Sequence, residues 1–204
     1  MVFSQYLNDE DHIMYYGLGQ PEPLIEDTVK EGNEESVVRK IEQSGQEGTK
    51  GAPKVYSSIN IAASALRKSD SEFSKWLIFL SDTVDFSAGQ AFEASQKGFA
   101  GFTLEKGKTE LERLAKETDG ELACVPGLNF VAIDASDVGQ WNQQCKMWPT
   151  WKANVEMLSK HAQTRAQVSG SGMGLYVSAK SLTAIKEAFE KVASAMEDVG
   201  GVGE

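Results

Sequence analysis

Two hydrophobic patterns alternate along this chain: short runs that are apolar at every position, and longer stretches that are apolar at every third or fourth. Trp76-Leu77-Ile78-Phe79-Leu80 is the plainest of the first kind, and Ser81, Asp82, Thr83 and Asp85 follow it. Such a run fits a strand buried on both faces, the usual state of strands in a parallel sheet. Its carboxylates then stand at the C-terminal end, where open α/β sheets build ligand sites. Leu128-Asn129-Phe130-Val131-Ala132-Ile133, ending at Asp134, and Gly174-Leu175-Tyr176-Val177-Ser178-Ala179 read as two more strands. His12-Ile13-Met14-Tyr15-Tyr16 reads as another, stopped by Gly17-Leu18-Gly19-Gln20-Pro21. A short extended piece is expected around Leu24-Ile25, inside an acidic stretch otherwise read as loop.

The second pattern predicts helices. Val37, Val38 and Ile41 give one face over 35–41, and small residues over 56–67 give a second helix. A short helix is expected over 90–97. Leu111, Leu114 and Ala115 mark an amphipathic helix over 109–118, and Val155, Leu158 and Ala162 mark one over 152–164. Ser181 is placed to cap a last helix whose stripe is Leu182, Ile185, Ala188, Phe189, Val192 and Met196. Residues 3–7 look like the end of a helix, 43–54 like a mobile loop, and 200–204 like a frayed tail. Strands alternating with helices predict an α/β domain over 1–199, a Rossmann-like, doubly wound, mostly parallel sheet with helices on both faces.

Composition narrows the function classes. Hydrophobic residues make up 41% and charged residues 25%, which is the balance of a soluble globular domain rather than a disordered chain. The net charge of −10 argues against a nucleic-acid partner. It is compatible with a cation or a basic protein partner, although a solvated acidic surface is the simpler explanation. Cys124 and Cys145 make neither a disulfide framework nor a zinc site, and both read as reduced structural thiols. No apolar run is long enough for a membrane span. The start Met1-Val2-Phe3-Ser4-Gln5-Tyr6 lacks a basic, apolar leader, so the default compartment is intracellular.

Several segments, in order, resemble a von Willebrand factor A (VWA) domain. Leu7 to Tyr16 is similar to its second strand with an acidic turn ahead of it. Gly51-Ala52-Pro53-Lys54-Val55-Tyr56-Ser57-Ser58-Ile59 resembles the family's Gly-Gly-Thr-x-Leu-Tyr-x-Ala-Ile run, and Trp76 to Asp85 resembles the strand ending in Thr-Asp-Gly-x-Asp. Leu128 to Asp134, helix 152–164 and Gly174 to Met196 resemble the last two strands and the final helix. The resemblance implies a non-enzymatic protein-interaction module. In that family a divalent cation is held by Asp-x-Ser-x-Ser after the first strand, by a threonine and by an aspartate. Here the first strand and its motif have no counterpart, and the threonine position is Pro53. Only Asp82 stands at a ligand position. One ligand cannot hold a magnesium ion, so no cofactor is expected unless the missing segment is supplied. Because the first strand is central to that fold, its loss would open a gap in the sheet. The sequence then reads as a fragment or a late start, with a partner-supplied strand or a non-functional truncated product as alternatives.

Other candidates weigh less. Trp141, Trp148 and Trp151 lie in a segment, 139–151, that the family pattern does not explain. They read either as a partner-binding patch or as rings packing a long loop onto the sheet, with packing favoured. Asp134-Ala135-Ser136-Asp137-Val138 partly mimics Asp-x-Ser-x-Ser but fits a strand-ending turn better. Gly170-Ser171-Gly172-Met173-Gly174 follows a helix and precedes a strand, the wrong order for a phosphate loop, so it reads as a flexible connector. His12 and His161 have no nucleophile elbow near them. That disfavours the competing class, a hydrolase or nucleotide-binding enzyme on a related sheet.

Overall fold

The computed structural model describes residues 10–18, 20–47, 54–69, 74–81, 85, 103–135 and 146–200. In chain order these hold β1 (His12–Tyr15), β2 (Ile25–Thr28), α1 (Glu34–Glu47), α2 (Val55–Lys68), β3 (Lys75–Ser81), α3 (Leu104–Ala123), β4 (Leu128–Asp134), α4 (Trp148–Ser169), β5 (Met173–Ser178) and α5 (Leu182–Gly200). The fold is α/β: a three-stranded parallel sheet, β3-β4-β5, flanked by helices and compatible with a Rossmann-like arrangement. β1 and β2 form a separate antiparallel pair, with His12 opposite Thr28 and Tyr15 opposite Ile25.

The burial of β3 corrects the expectation of a strand covered on both faces: at the edge of the three-stranded sheet it buries Leu77, Phe79 and Ser81, while Trp76 and Ile78 are half-buried and Leu80 is 41% exposed. β4 is buried at every position, as a central parallel strand must be. Leu77, Phe79, Phe130 and Ala132 face a core closed by α2, α3 and α4, with Tyr56, Leu111, Leu122, Trp151 and Leu158 among its members. Val131 and Ile133 face the opposite way, onto Ala188 and Val192 of α5. Period-two alternation therefore sorts one apolar run into two cores. Both crossovers step the same way across the sheet, and right-handed connections then put α3 and α4 on one face together.

Several boundaries differ from the sequence expectation. α3 begins earlier than 109 because Thr103 caps it, its hydroxyl accepting from the Lys106 amide at 3.3 Å. It continues past 118 because Leu122, 1% exposed, still reaches the core. α1 runs to Glu47, through residues expected to be loop. α4 starts at Trp148, so the end of the expected 139–151 insertion is helix. Ser181 does cap α5, accepting from the Ala184 amide at 3.1 Å. The helical end at 3–7, the helix at 90–97 and the expected tail at 200–204, except Gly200, which ends α5, lie outside the described residues.

Left-handed backbone and close contacts together shape the glycine-rich connector, where Gly170 and Gly172 have φ 74° and 85°. Gly170 ends α4 in the left-handed conformation, φ 74°, its amide bonding back to the Ala166 carbonyl. A Cβ on Gly172 would stand 2.5 Å from the Leu128 carbonyl oxygen, and one on Gly174 would stand 2.0 Å from that of Ser159. These two positions hold β5 against β4 and against α4.

Candidate functional site

Parallel pairing brings three polar side chains into one row at the C-terminal ends of the strands. Ser81 of β3 is in register with Asp134 of β4, and Asp134 with Ser178 of β5. All three continue the face that carries Phe79, Ala132 and Tyr176, so the row points toward the α2–α4 side. Asp134 is 1% exposed. A buried carboxylate of this kind needs polar partners, because an unpaired one is costly to take out of water.

One side chain donates to it and a second brings the opposite charge close. The Tyr176 hydroxyl donates to Asp134 Oδ2 at 2.9 Å. Burial, then the charge of Asp134, pushes the Tyr176 phenol well above its ordinary range, so it stays protonated and remains a donor. Lys152, on the second turn of α4, brings Nζ to 3.8 Å from Asp134 Oδ2 and donates to Ser178 Oγ at 3.3 Å. The same ammonium sits 4.9 Å above the centre of the Trp148 ring, one helical turn back, where residues i and i+4 meet. Pro149 in the first turn of α4, where its missing amide is no loss, helps start the helix at this point.

A second carboxylate at this end has a structural duty. Asp85, 1% exposed, accepts from the Tyr56 amide at 2.8 Å. It thereby caps α2, whose own N-cap residue, Lys54, makes no side-chain cap. Asp85→Ala is expected to cost about 1–2 kcal/mol through the lost cap. Asp85→Asn, which keeps an acceptor, should cost less. Urea midpoints at unchanged m-value would measure both.

The residues expected from sequence are divided by the structure. Asp82 and Trp141 lie outside the described residues. Trp148 is half-buried at the start of α4, against Lys152. Trp151 is a core residue, 1% exposed, edge-on to Tyr56 at 5.3 Å and to Phe79 at 6.4 Å between ring centres. It offers no surface to a partner. Asp134 is placed at the strand end, while Ser136, Asp137 and Val138 fall outside the described residues. The histidines are not brought together. His12 lies by Thr28 and Glu26 on the β1–β2 pair, and His161 of α4 lies 3.0 Å from Asp119 of α3.

Lys152, Tyr176, Ser178 and the capping role of Asp85 do not stand out in the sequence. The one signal there is the Trp148–Lys152 spacing at the start of a helix. Among the described residues, no three His, Cys, Asp or Glu side chains form a group suited to a metal ion. None of their helices is long and apolar enough to cross a membrane. A cavity of about 130 Å³ lies at the other end of β4, lined by Leu122, Val125, Leu128, Ala162, Arg165 and Ser169, remote from the strand-end row. Compared with family models, with curated proteins and with solved structures, the chain matches none.

Proposed function

We propose that this chain is a non-enzymatic protein-interaction module of VWA type with a degenerate ion site. It meets its partner through the C-terminal edge of the β3-β4-β5 sheet and the segment leading into α4. The observation that carries this proposal is the order and pairing of the elements. An antiparallel pair is followed by two helices and then by three parallel strands in chain order, and among the described residues the two sheets are separate. A VWA-type sheet without its central first strand would divide between those two groups. Asp82 keeps its proposed place as a residual ligand position, with magnesium involved only where a first strand and its motif are supplied.

The strand-end edge has the chemistry of a recognition surface. Trp148 and Lys152 give it an aromatic face and a charge, both held by neighbours, and Leu182 beside it is 78% exposed.

Photo-crosslinking from the native source tests the proposal. A photoreactive residue at Leu182 is expected to capture one discrete protein, while the same residue at Val168, 85% exposed on α4, captures none. Asp82→Ala is expected to leave that capture unchanged. Equal labelling from both positions, or a large magnesium-dependent loss on Asp82→Ala, would refute the assignment.

A further inference from the structure

The row Ser81–Asp134–Ser178 has the makings of a hard-cation site: hydroxyl, carboxylate, hydroxyl, in register at the ends of three parallel strands. The ion that this geometry invites is already present in covalent form. We infer that the Lys152 ammonium is the resident cation of the strand-end site, so that the edge is charged and ordered without a divalent ion.

Three observations carry this. The Lys152 nitrogen lies within reach of two members of the row, 3.3 Å from Ser178 Oγ and 3.8 Å from Asp134 Oδ2. Its remaining side is closed by the Trp148 ring at 4.9 Å, and the side chain is only a quarter exposed. An ammonium with oxygens on one side and an aromatic face on the other has its charge balanced and its hydration replaced. The carboxylate it faces is 1% exposed and accepts from the Tyr176 hydroxyl, which is held protonated. A divalent ion would have to displace an ammonium tethered by the same helix that builds the wall.

The inference rests on the interaction-module proposal only for one consequence, that partner capture should be indifferent to chelators. Its own test needs no partner, so the two can fail separately. The thermal midpoint of the whole chain would be followed after chelation, then with magnesium, manganese or methylammonium chloride at matched ionic strength. The wild type is expected to show no saturable response to either metal. Lys152→Ala should lower the midpoint by roughly 4–8 °C and regain stability saturably with methylammonium, which supplies the lost N–H donors. Tetramethylammonium, which has none, should not restore it. If the alanine variant does not fold, Lys152→Met keeps the volume and removes the charge together with its N–H donors. Its loss should then be relieved by Asp134→Asn in the same chain. A saturable manganese response in the wild type that disappears with Asp134→Asn would overturn the inference. So would a Lys152→Ala variant as stable as the wild type or indifferent to methylammonium, or a Lys152→Met loss that Asp134→Asn does not relieve.

Discussion

Gly174→Ala is expected to lower stability by about 3 kcal/mol or more, the upper end of what overpacking costs. The reason is steric and local. An alanine Cβ would stand 2.0 Å from the Ser159 carbonyl oxygen, 2.3 Å from the Gln163 amide nitrogen and 3.0 Å from the Gln163 Cα. All three are backbone atoms of α4, so no rotamer change can make room. β5 and α4 would have to separate, and the Gly174 amide would lose the Gln163 side-chain oxygen it meets at 2.9 Å. For a chain of this size the thermal midpoint should fall by roughly 6–12 °C. Gly170→Ala is the control. It carries a left-handed φ of 74°, but a methyl group there would have nothing within 4 Å, so it should lose only about 1–2 kcal/mol. A Gly174→Ala loss no larger than that of Gly170→Ala would mean that α4 gives way to the methyl group at little cost, since Gly174 has no left-handed φ to lose.

That contrast also marks what could be read from the residues alone. The placing of the connector between a helix and a strand followed from sequence order. Its closeness did not, because a glycine needed for φ and a glycine needed for contact are the same letter in a sequence. β4 was legible because a strand buried on both faces has to be apolar throughout, and Asp134 stood out as the residue that ends such a run; β3 carries the same apolar run but fully buries only one face, so its run is an imperfect guide to burial. α4 was harder. Its buried face mixes Trp151, Val155 and Leu158 with Asn154 and Ser159, so the apolar period fades at the helix start. α3 runs past the expected end at 118, through Asp119-Gly120-Glu121. In the structure Arg165 donates to Asp119 at 2.8 Å, and Leu122 completes the turn in the core.

The strand-end site was half legible for a related reason. A carboxylate at the end of a buried strand is a local signal, but its donors come from elsewhere in the chain. Lys152 reaches Asp134 only because α4 packs beside β5, and Asp85 reaches the Tyr56 amide across 29 residues. No spacing rule links those positions. The sequence presents them as an ordinary helix lysine and a loop acid, and only the packing of α2 and α4 on the sheet gives them partners.

Trp151→Ala is expected to be the most damaging single truncation, at about 3–5 kcal/mol. The indole is among the largest fully buried side chains and joins three elements: its own α4, Tyr56 of α2 and Phe79 of β3. Removing it takes away apolar area and two edge-to-face ring contacts and leaves a hole between backbone elements that cannot close without moving a helix. Trp148→Ala, three residues earlier but half-buried, should cost no more than about 1.5 kcal/mol, mostly its contact with the Lys152 ammonium. Chemical denaturation would compare the two, and a Trp148 loss equal to that of Trp151 would contradict the division of these rings between surface and core. The difference bears on function as well as on stability. Trp151 fixes the first two turns of α4 to the sheet, and Lys152 is its neighbour, so the ring that faces no partner sets where the ammonium stands. Trp151→Phe, which keeps an aromatic edge for Tyr56 and Phe79, should therefore retain more of the Lys152–Asp134 coupling than Trp151→Ala, measured as the interaction term of a double-mutant cycle in each background.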